Sequence, residues 1–400
     1  MHSDTAFVLT LLVLGYAVVS ALVDRWYVAP ALIFVALGML LGPSGLQLID
    51  TSPEASSFTV LAQLALTVIL FNQAARLDVL KVIRRGHVTF RLLVIGIPVT
   101  LVLGAVTATL LLPILPWWEA ACLAAIVAPT EVALIDALLE DERIPERVRH
   151  TLSVESGFYD GFALAALLAA VALASASNDA HPARWAWFAF RTEVVSLVVG
   201  AGIAAVTGWA IATSWKRSWM SDTWAQLATV AVALLCFEAG ERLHGSGFVA
   251  AFAGGLVFAM IARRHEEQVP TQVSDATGQL LELMVFALFG AFAVSEGWQY
   301  ASWQVVLFAV LAVFAVRMVA VLIALIRSDL PPYSRAFIGW FGPRGIGTVV
   351  LGLIVLERGQ ISEADVIVQV VVVAVTISLL LHSLTAPLGI RRFAASPRLR

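Results

Sequence analysis

Two short stretches decide how this chain folds: Ala128-Pro129-Thr130-Glu131 and Phe341-Gly342-Pro343-Arg344-Gly345. Each interrupts an apolar run long enough to cross a bilayer, residues 117–139 in the first case and 336–356 in the second. A proline inside a helix removes a backbone donor and crowds the preceding turn, so each run is expected to unwind at its break. The breaks occupy matching places. Pro129 lies 122 residues past Phe7, and Pro343 lies 121 past Asp222. Single prolines often kink membrane helices, but two at matched positions, each beside an ionisable residue, point to a duplicated unit with its site near the midplane.

The rest of the chain agrees with a membrane setting. Of 400 residues, 60% are hydrophobic and only 13% charged, and the mean hydropathy is +0.90. So few charges cannot cover the surface of a water-soluble domain of this length. The net charge of −3 gives no sign of nucleic-acid binding. Cys122 and Cys236 sit deep in apolar runs and read as small buried hydrophobes. Residues 1–4 lack the basic start of a secretory signal, so the first apolar run reads as a retained helix.

A span needs about 20 apolar residues. That rule gives an all-α polytopic membrane protein with about thirteen candidates: 7–23, 28–49, 57–75, 89–112, 117–139, 151–174, 192–213, 222–237, 247–262, 278–294, 305–326, 336–356 and 366–389. Residues 1–190 and 218–400 form two six-helix repeats, joined by a connector helix within 191–217. The odd connector inverts the second repeat relative to the first.

The basic residues test this count. With the N-terminus outside, 19 of the 25 fall in inner loops: Arg25, Arg76, Lys81, Arg84, Arg85, Arg91, Arg143, Arg147, Arg149, Lys216, Arg217, Arg263, Arg264, Arg327, Arg335, Arg391, Arg392, Arg398 and Arg400. The outer loops hold only Arg184, Arg191, Arg242 and Arg358, while Arg317 and Arg344 lie within spans. This bias predicts an outer N-terminus and a cytoplasmic C-terminus. Trp26, Trp117, Trp118, Trp185, Trp215, Trp219 and Trp298 fall near span ends, as interfacial anchors do.

Ionisable groups inside a span are expensive and mark function by default. Glu131 follows the first break and is a candidate ion- or proton-binding carboxylate. The sixth span carries Glu155-Ser156-Gly157-Phe158-Tyr159-Asp160-Gly161, where Ser156 and Asp160 share a face and Glu155 lies with Tyr159. A carboxylate, a hydroxyl and freed backbone carbonyls are the hard oxygen ligands that a small alkali cation takes when it sheds water. Burial favours a protonated carboxyl in general and a bound cation favours the ionised one, so proton and cation compete for one site. Asp160 is the expected seat of that competition. Arg317 and Arg344 keep their protons. They read as supports, each offsetting a carboxylate or the carbonyl end of a half-helix. Asn72 and Gln73 read as a helix–helix hydrogen-bonding pair, and His87 and His150 lie beside basic inner loops.

With Ile144-Pro145-Glu146-Arg147, these motifs follow one another in an order that resembles the monovalent cation–proton antiporter superfamily, in its NhaP-like, sodium/proton-exchanger branch. The resemblance extends over essentially the whole chain. It implies a thirteen-helix homodimer with a dimerisation domain and a core domain in which the broken helices cross. It also implies exchange of Na⁺, or of K⁺ or Li⁺, for H⁺ by alternating access, with no cofactor, in a cell (inner) membrane. The family's ion-binding positions correspond to Thr130, Glu155, Ser156 and Asp160, with Thr130, Ser156 and Asp160 as the cation's ligands. Arg317 and Arg344 match its supporting arginines. Two departures stand out: Thr130-Glu131 replaces the usual Thr-Asp, and Tyr159-Asp160 replaces Asn-Asp.

A second reading is a sodium-coupled symporter of a small organic anion on a related inverted-repeat fold. An enzyme is not expected, because the chain carries neither a His-Glu-x-x-His zinc motif nor a Walker-type glycine loop.

Overall fold

The computed structural model describes residues 3–24, 28–49, 55–77, 87–139, 141–177, 182–264, 271–358 and 361–395. Arg25, Lys81, Arg84, Arg85, Arg398 and Arg400 of the inner-loop set lie outside the described residues, as does Trp26.

The described chain is helical. In order the helices are α1 (Ser3–Asp24), α2 (Pro30–Leu41), α3 (Ala55–Arg76), α4 (His87–Leu111), α5 (Trp117–Val127), α6 (Glu146–Ser177) and α7 (Pro182–Lys216). They continue as α8 (Asp222–Arg242), α9 (Gly247–Arg264), α10 (Gln272–Phe292), α11 (Trp303–Ala324), α12 (Pro332–Trp340), α13 (Ile346–Arg358) and α14 (Ala364–Ala395). Among the described residues, ten helices are long and apolar enough to span a membrane, and three shorter apolar helices stand in the places of the second, fifth and twelfth expected spans. Apolar surface is exposed on α1, where Leu11, Leu14 and Val18 are 56%, 62% and 80% exposed.

Two expectations change, and a third holds. The second span, expected over 28–49, is helical only from Pro30 to Leu41. Gly42-Pro43 ends it, and the following turn caps its carbonyls, with Leu46 N–H on Leu40 O and Leu48 N–H on Leu41 O. The seventh helix begins at Pro182, so the expected boundary at residue 190/191 falls inside α7. Prolines suit a first helical turn because the missing N–H has no partner there anyway. The fifth and twelfth spans are not continuous helices, as their prolines required.

The chain divides into two compact units. One comprises Met1–Thr59, Leu80–Tyr159 and Leu283–Arg400. Its α2 and α10 meet at almost backbone-to-backbone distance: a Cβ on Gly38 would lie 2.0 Å from Ala287 O, and one on Gly290 would lie 2.1 Å from Val35 O. Small residues drive such packing where lipid removes the hydrophobic incentive. At one end, Val148, Leu152, Ile338, Phe337, Phe341 and Phe393 form a buried apolar cluster.

The other unit comprises Val60–Val79 and Asp160–Glu282. Phe71, Ala204, Val232, Cys236, Ala251 and Phe258 make its core. Ser274 Oγ donates to Asn72 Oδ1 at 2.6 Å, a hydrogen bond between α10 and α3. Arg263 donates to Leu77 O at 2.8 Å and to Ala75 O at 3.3 Å, satisfying the carbonyl end of α3.

Candidate functional site

The site in the first unit is built on the two breaks. Helix α5 stops at Val127, residues 128–131 run without helical hydrogen bonding, and a 3-10 turn follows over Val132–Ile135. Helix α12 stops at Trp340, with Phe341 N–H closing its last turn on Phe337 O at 2.9 Å; residues 342–345 then lack helical hydrogen bonding from their N–H groups, and α13 starts at Ile346. Open backbone inside a bilayer must find partners within the protein. The two segments partly supply one another: Glu131 N–H donates to Pro343 O at 2.8 Å.

Arg344 completes the crossing. Its Nη1 donates to Ala128 O at 2.6 Å and Pro129 O at 2.9 Å, and its Nη2 reaches Ala312 O at 3.4 Å. The carbonyl end of α5 carries partial negative charge, so a guanidinium there satisfies both orphan carbonyls and the dipole. Ala312 lies in a π-helical turn of α11, Leu311–Val316, directly before Arg317. Such turns interrupt the regular hydrogen-bond ladder. Arg344 N–H itself donates to Ser378 Oγ on α14 at 2.7 Å.

Arg317 and Glu155 form a bidentate pair, Nη1 to Oε1 at 3.0 Å and Nη2 to Oε2 at 3.1 Å. Both are buried, 1% and 2% exposed. Arg317 Nη2 also donates to Ile338 O at 3.1 Å, near the carbonyl end of α12. Each half-helix thus has an arginine at its carbonyl end, Arg344 for α5 and Arg317 for α12.

Ser156 Oγ donates to the Thr130 carbonyl, joining α6 to the first break. Thr130, Glu131, Ser156 and Asp160 are all buried. Asp160 stands one helical turn beyond Ser156 on α6, at the point where the chain enters the second unit. Tyr159 is 1% exposed, and its hydroxyl faces Thr100 without a hydrogen bond of normal geometry. Thr100 Oγ1 donates instead to Gly96 O at 2.9 Å. The structure therefore brings Thr130, Glu131, Glu155, Ser156, Arg317 and Arg344 into one hydrogen-bonded assembly, with Tyr159 and Asp160 on the same helix as two of them.

Two buried ionisable residues were missed by the sequence reading, one at the far end of α5 and one beside the second break. Glu119, buried at the start of α5, accepts from Ser362 N at 2.8 Å, Ser362 Oγ at 2.6 Å and Glu363 N at 3.3 Å, so it caps the chain entering α14. His382 on α14 is 1% exposed and reaches Trp340 O. Both are ionisable groups in apolar runs, the signal that singled out Asp160. The basic loops hold conventional pairs, such as Arg147 to Asp329 at 2.7 and 2.8 Å.

Paired interrupted spans, crossing at their breaks beside buried carboxylates and guanidiniums, define a polytopic membrane protein whose polar centre is held together by backbone groups. The model for the transmembrane sodium/hydrogen exchanger family matches residues 8–389, and the chain belongs to that family. It is 25% identical over 352 residues to a K(+)/H(+) antiporter NhaP of Alkalimonas amylolytica, covering 86% of this chain and 60% of that one. It is 25% identical over 384 residues to a K(+)/H(+) antiporter NhaP2 of Shewanella baltica, covering 92% of this chain and 63% of the relative. The chain thus spans about three fifths of the length of these curated relatives. Its fold is similar to that of the sodium proton antiporter MjNhaP1 from Methanocaldococcus jannaschii at pH 8. The TM-score is 0.74 at 19% identity, over 95% of this chain and 98% of that one.

Proposed function

We propose that the protein exchanges a monovalent alkali cation, Na⁺ or K⁺, for H⁺ by alternating access, with proton and cation competing for the Asp160 carboxylate. The observation that carries this reading is the crossing of the two breaks beside α6, with Glu131 N–H on Pro343 O and Ser156 on the Thr130 carbonyl. Open carbonyls, a hydroxyl and carboxylates are what a dehydrating alkali cation requires. Arg317 and Arg344 hold fixed charge and cannot exchange a proton, and Glu155 is committed to Arg317. Asp160, buried one helical turn beyond Ser156, is the exchanging group in this reading, with Thr130 and Ser156 as further ligands, Glu131 as a second ion- or proton-binding carboxylate and Tyr159 supporting the site.

The same reading includes two inverted repeats, a homodimer in the cell membrane, an outer N-terminus and a cytoplasmic C-terminus. The family match and the relatives named as antiporters lend no support to an organic-anion symporter.

The test is reconstitution in liposomes with an internal pH dye, an imposed pH gradient and additions of Na⁺, K⁺ and Li⁺ in turn, at two clamped voltages. Cation-dependent collapse of the gradient, absent in Asp160→Asn, is the expected result. Folded protein that responds to none of the three ions would overturn the proposal, and undiminished exchange in Asp160→Asn would remove Asp160 from it.

A further inference from the structure

The carbonyl end of α12 has a second donor besides Arg317. His382 of α14 places Nε2 2.8 Å from Trp340 O, the last residue of α12 before the break. Its Nδ1 lies 2.8 Å from Ser378 O and 3.1 Å from Ser378 Oγ. That Ser378 Oγ is the acceptor for Arg344 N–H, at 2.7 Å. The ring is buried and stacks on Phe314 of α11 with centroids 5.5 Å apart.

With the proton on Nε2, the ring donates to Trp340 O. Nδ1 then faces two oxygens of Ser378, the carbonyl at 2.8 Å and the hydroxyl at 3.1 Å, of which only the hydroxyl can donate to it while its oxygen accepts from Arg344 N–H. One imidazole therefore ties the two sides of the second break to one face of α14: Trp340 before it directly, and Arg344 within it through Ser378. A phenylalanine would fill the same space and keep the stack, but it would leave Trp340 O with only the Gly342 N–H, at 3.0 Å, and remove the bond that joins it to α14.

We propose that His382 is a positioning residue for the second break. It holds the half-helix end and, through Ser378, the backbone that aims Arg344 at the carbonyls of α5. Its effect on transport rests on the exchange reading above; its effect on the break does not.

The experiment compares full-length wild type, His382→Phe, His382→Gln and His382→Asn in lipid nanodiscs by hydrogen exchange of peptides covering 338–346, and in liposomes by cation-driven proton flux. A glutamine amide matches the position of Nε2 and can restore the bond to Trp340 O, whereas phenylalanine restores only shape. His382→Phe should raise exchange in 338–346 about tenfold, the effect of one lost hydrogen bond of ordinary strength, and leave the helices of the second unit unchanged. It should also raise the half-saturating cation concentration more than it lowers the maximal rate. His382→Gln should recover both to within about threefold.

Unchanged local exchange in His382→Phe would overturn the proposal, as would His382→Gln behaving like His382→Phe. If His382→Phe does not fold, His382→Asn decides, since its amide is too short to reach Trp340 O: increased exchange at the break supports the proposal, and unchanged exchange refutes it. Failure of wild type to move any alkali cation would defeat the exchange reading alone, because the hydrogen-exchange arm would still decide the role of His382.

Discussion

Glu131 N–H donates to Pro343 O at 2.8 Å, so the two interrupted spans are bonded to each other at their breaks. The crossing is tight as well as polar. A Cβ on Gly345 would lie 2.6 Å from the Glu131 Cβ, and one on Gly342 would lie 1.9 Å from Arg317 Nε. Neither position has room for a side chain. Gly342→Ala should push Arg317 off Glu155 and destabilise the protein by about 3–5 kcal/mol, the scale for breaking a buried ion pair. Thermal unfolding in detergent measures this, and an unchanged midpoint would mean that the guanidinium can move aside freely.

The Glu155–Arg317 pair should behave as a unit. Arg317→Gln leaves a buried carboxylate uncompensated, at a cost of about 3–5 kcal/mol, whereas the double change Arg317→Gln with Glu155→Gln removes both charges of the pair and should recover most of it. A double-mutant cycle on unfolding midpoints reads the coupling. Additive losses would show that each residue is held by other partners.

Competition at Asp160 has a kinetic signature. If one carboxylate takes either the proton or the cation, the half-saturating cation concentration should rise about tenfold for each unit of acidification once the proton form dominates, with an unchanged maximal rate. Flux measured against cation concentration at three pH values tests it. A falling maximal rate at constant half-saturation would place the proton elsewhere.

Tyr159 buries a hydroxyl that has no hydrogen bond of normal geometry. Tyr159→Phe removes a polar group that gains little, so it should be neutral or stabilising by about 1 kcal/mol and should keep exchange. Tyr159→Asn should fold and shift ion preference in the liposome assay. Loss of folded protein in both variants would assign Tyr159 to packing alone.

The loop pair Arg147–Asp329 should respond to acid. Arg147 holds the Asp329 carboxyl below its usual value. A group whose folded value is depressed stabilises above its unfolded value, and that support fades as pH falls through the folded one. Wild type should therefore exceed Asp329→Asn in unfolding midpoint at pH 7 by a small margin that closes below about pH 4. A margin that persists at pH 3 would show that the pair is not what distinguishes them.

Much of the architecture was legible from residue order because a bilayer imposes simple demands. A span must be apolar and about 20 residues long, and a proline within it must disturb the backbone. Thirteen runs and two breaks followed from those demands, and the family resemblance rested on the same stretches. Where the reading erred, local chemistry decided: Gly42-Pro43 stopped α2 early, and Pro182 allowed α7 to start early. Partners were another matter. Residue order gave Arg317 and Arg344 each a carboxylate or a half-helix end to offset, and only packing put Arg317 within 3.0 Å of Glu155 and sent Arg344 to Ala128 O and Pro129 O. Glu119 and His382 carry no motif; their importance comes from the backbone ends they face. Spacing along one chain determines which segments are helical and where they fail, because those are local energies. Which charge neutralises which broken end depends on contacts between residues as far apart as 216 positions, and only the folded structure brings them together.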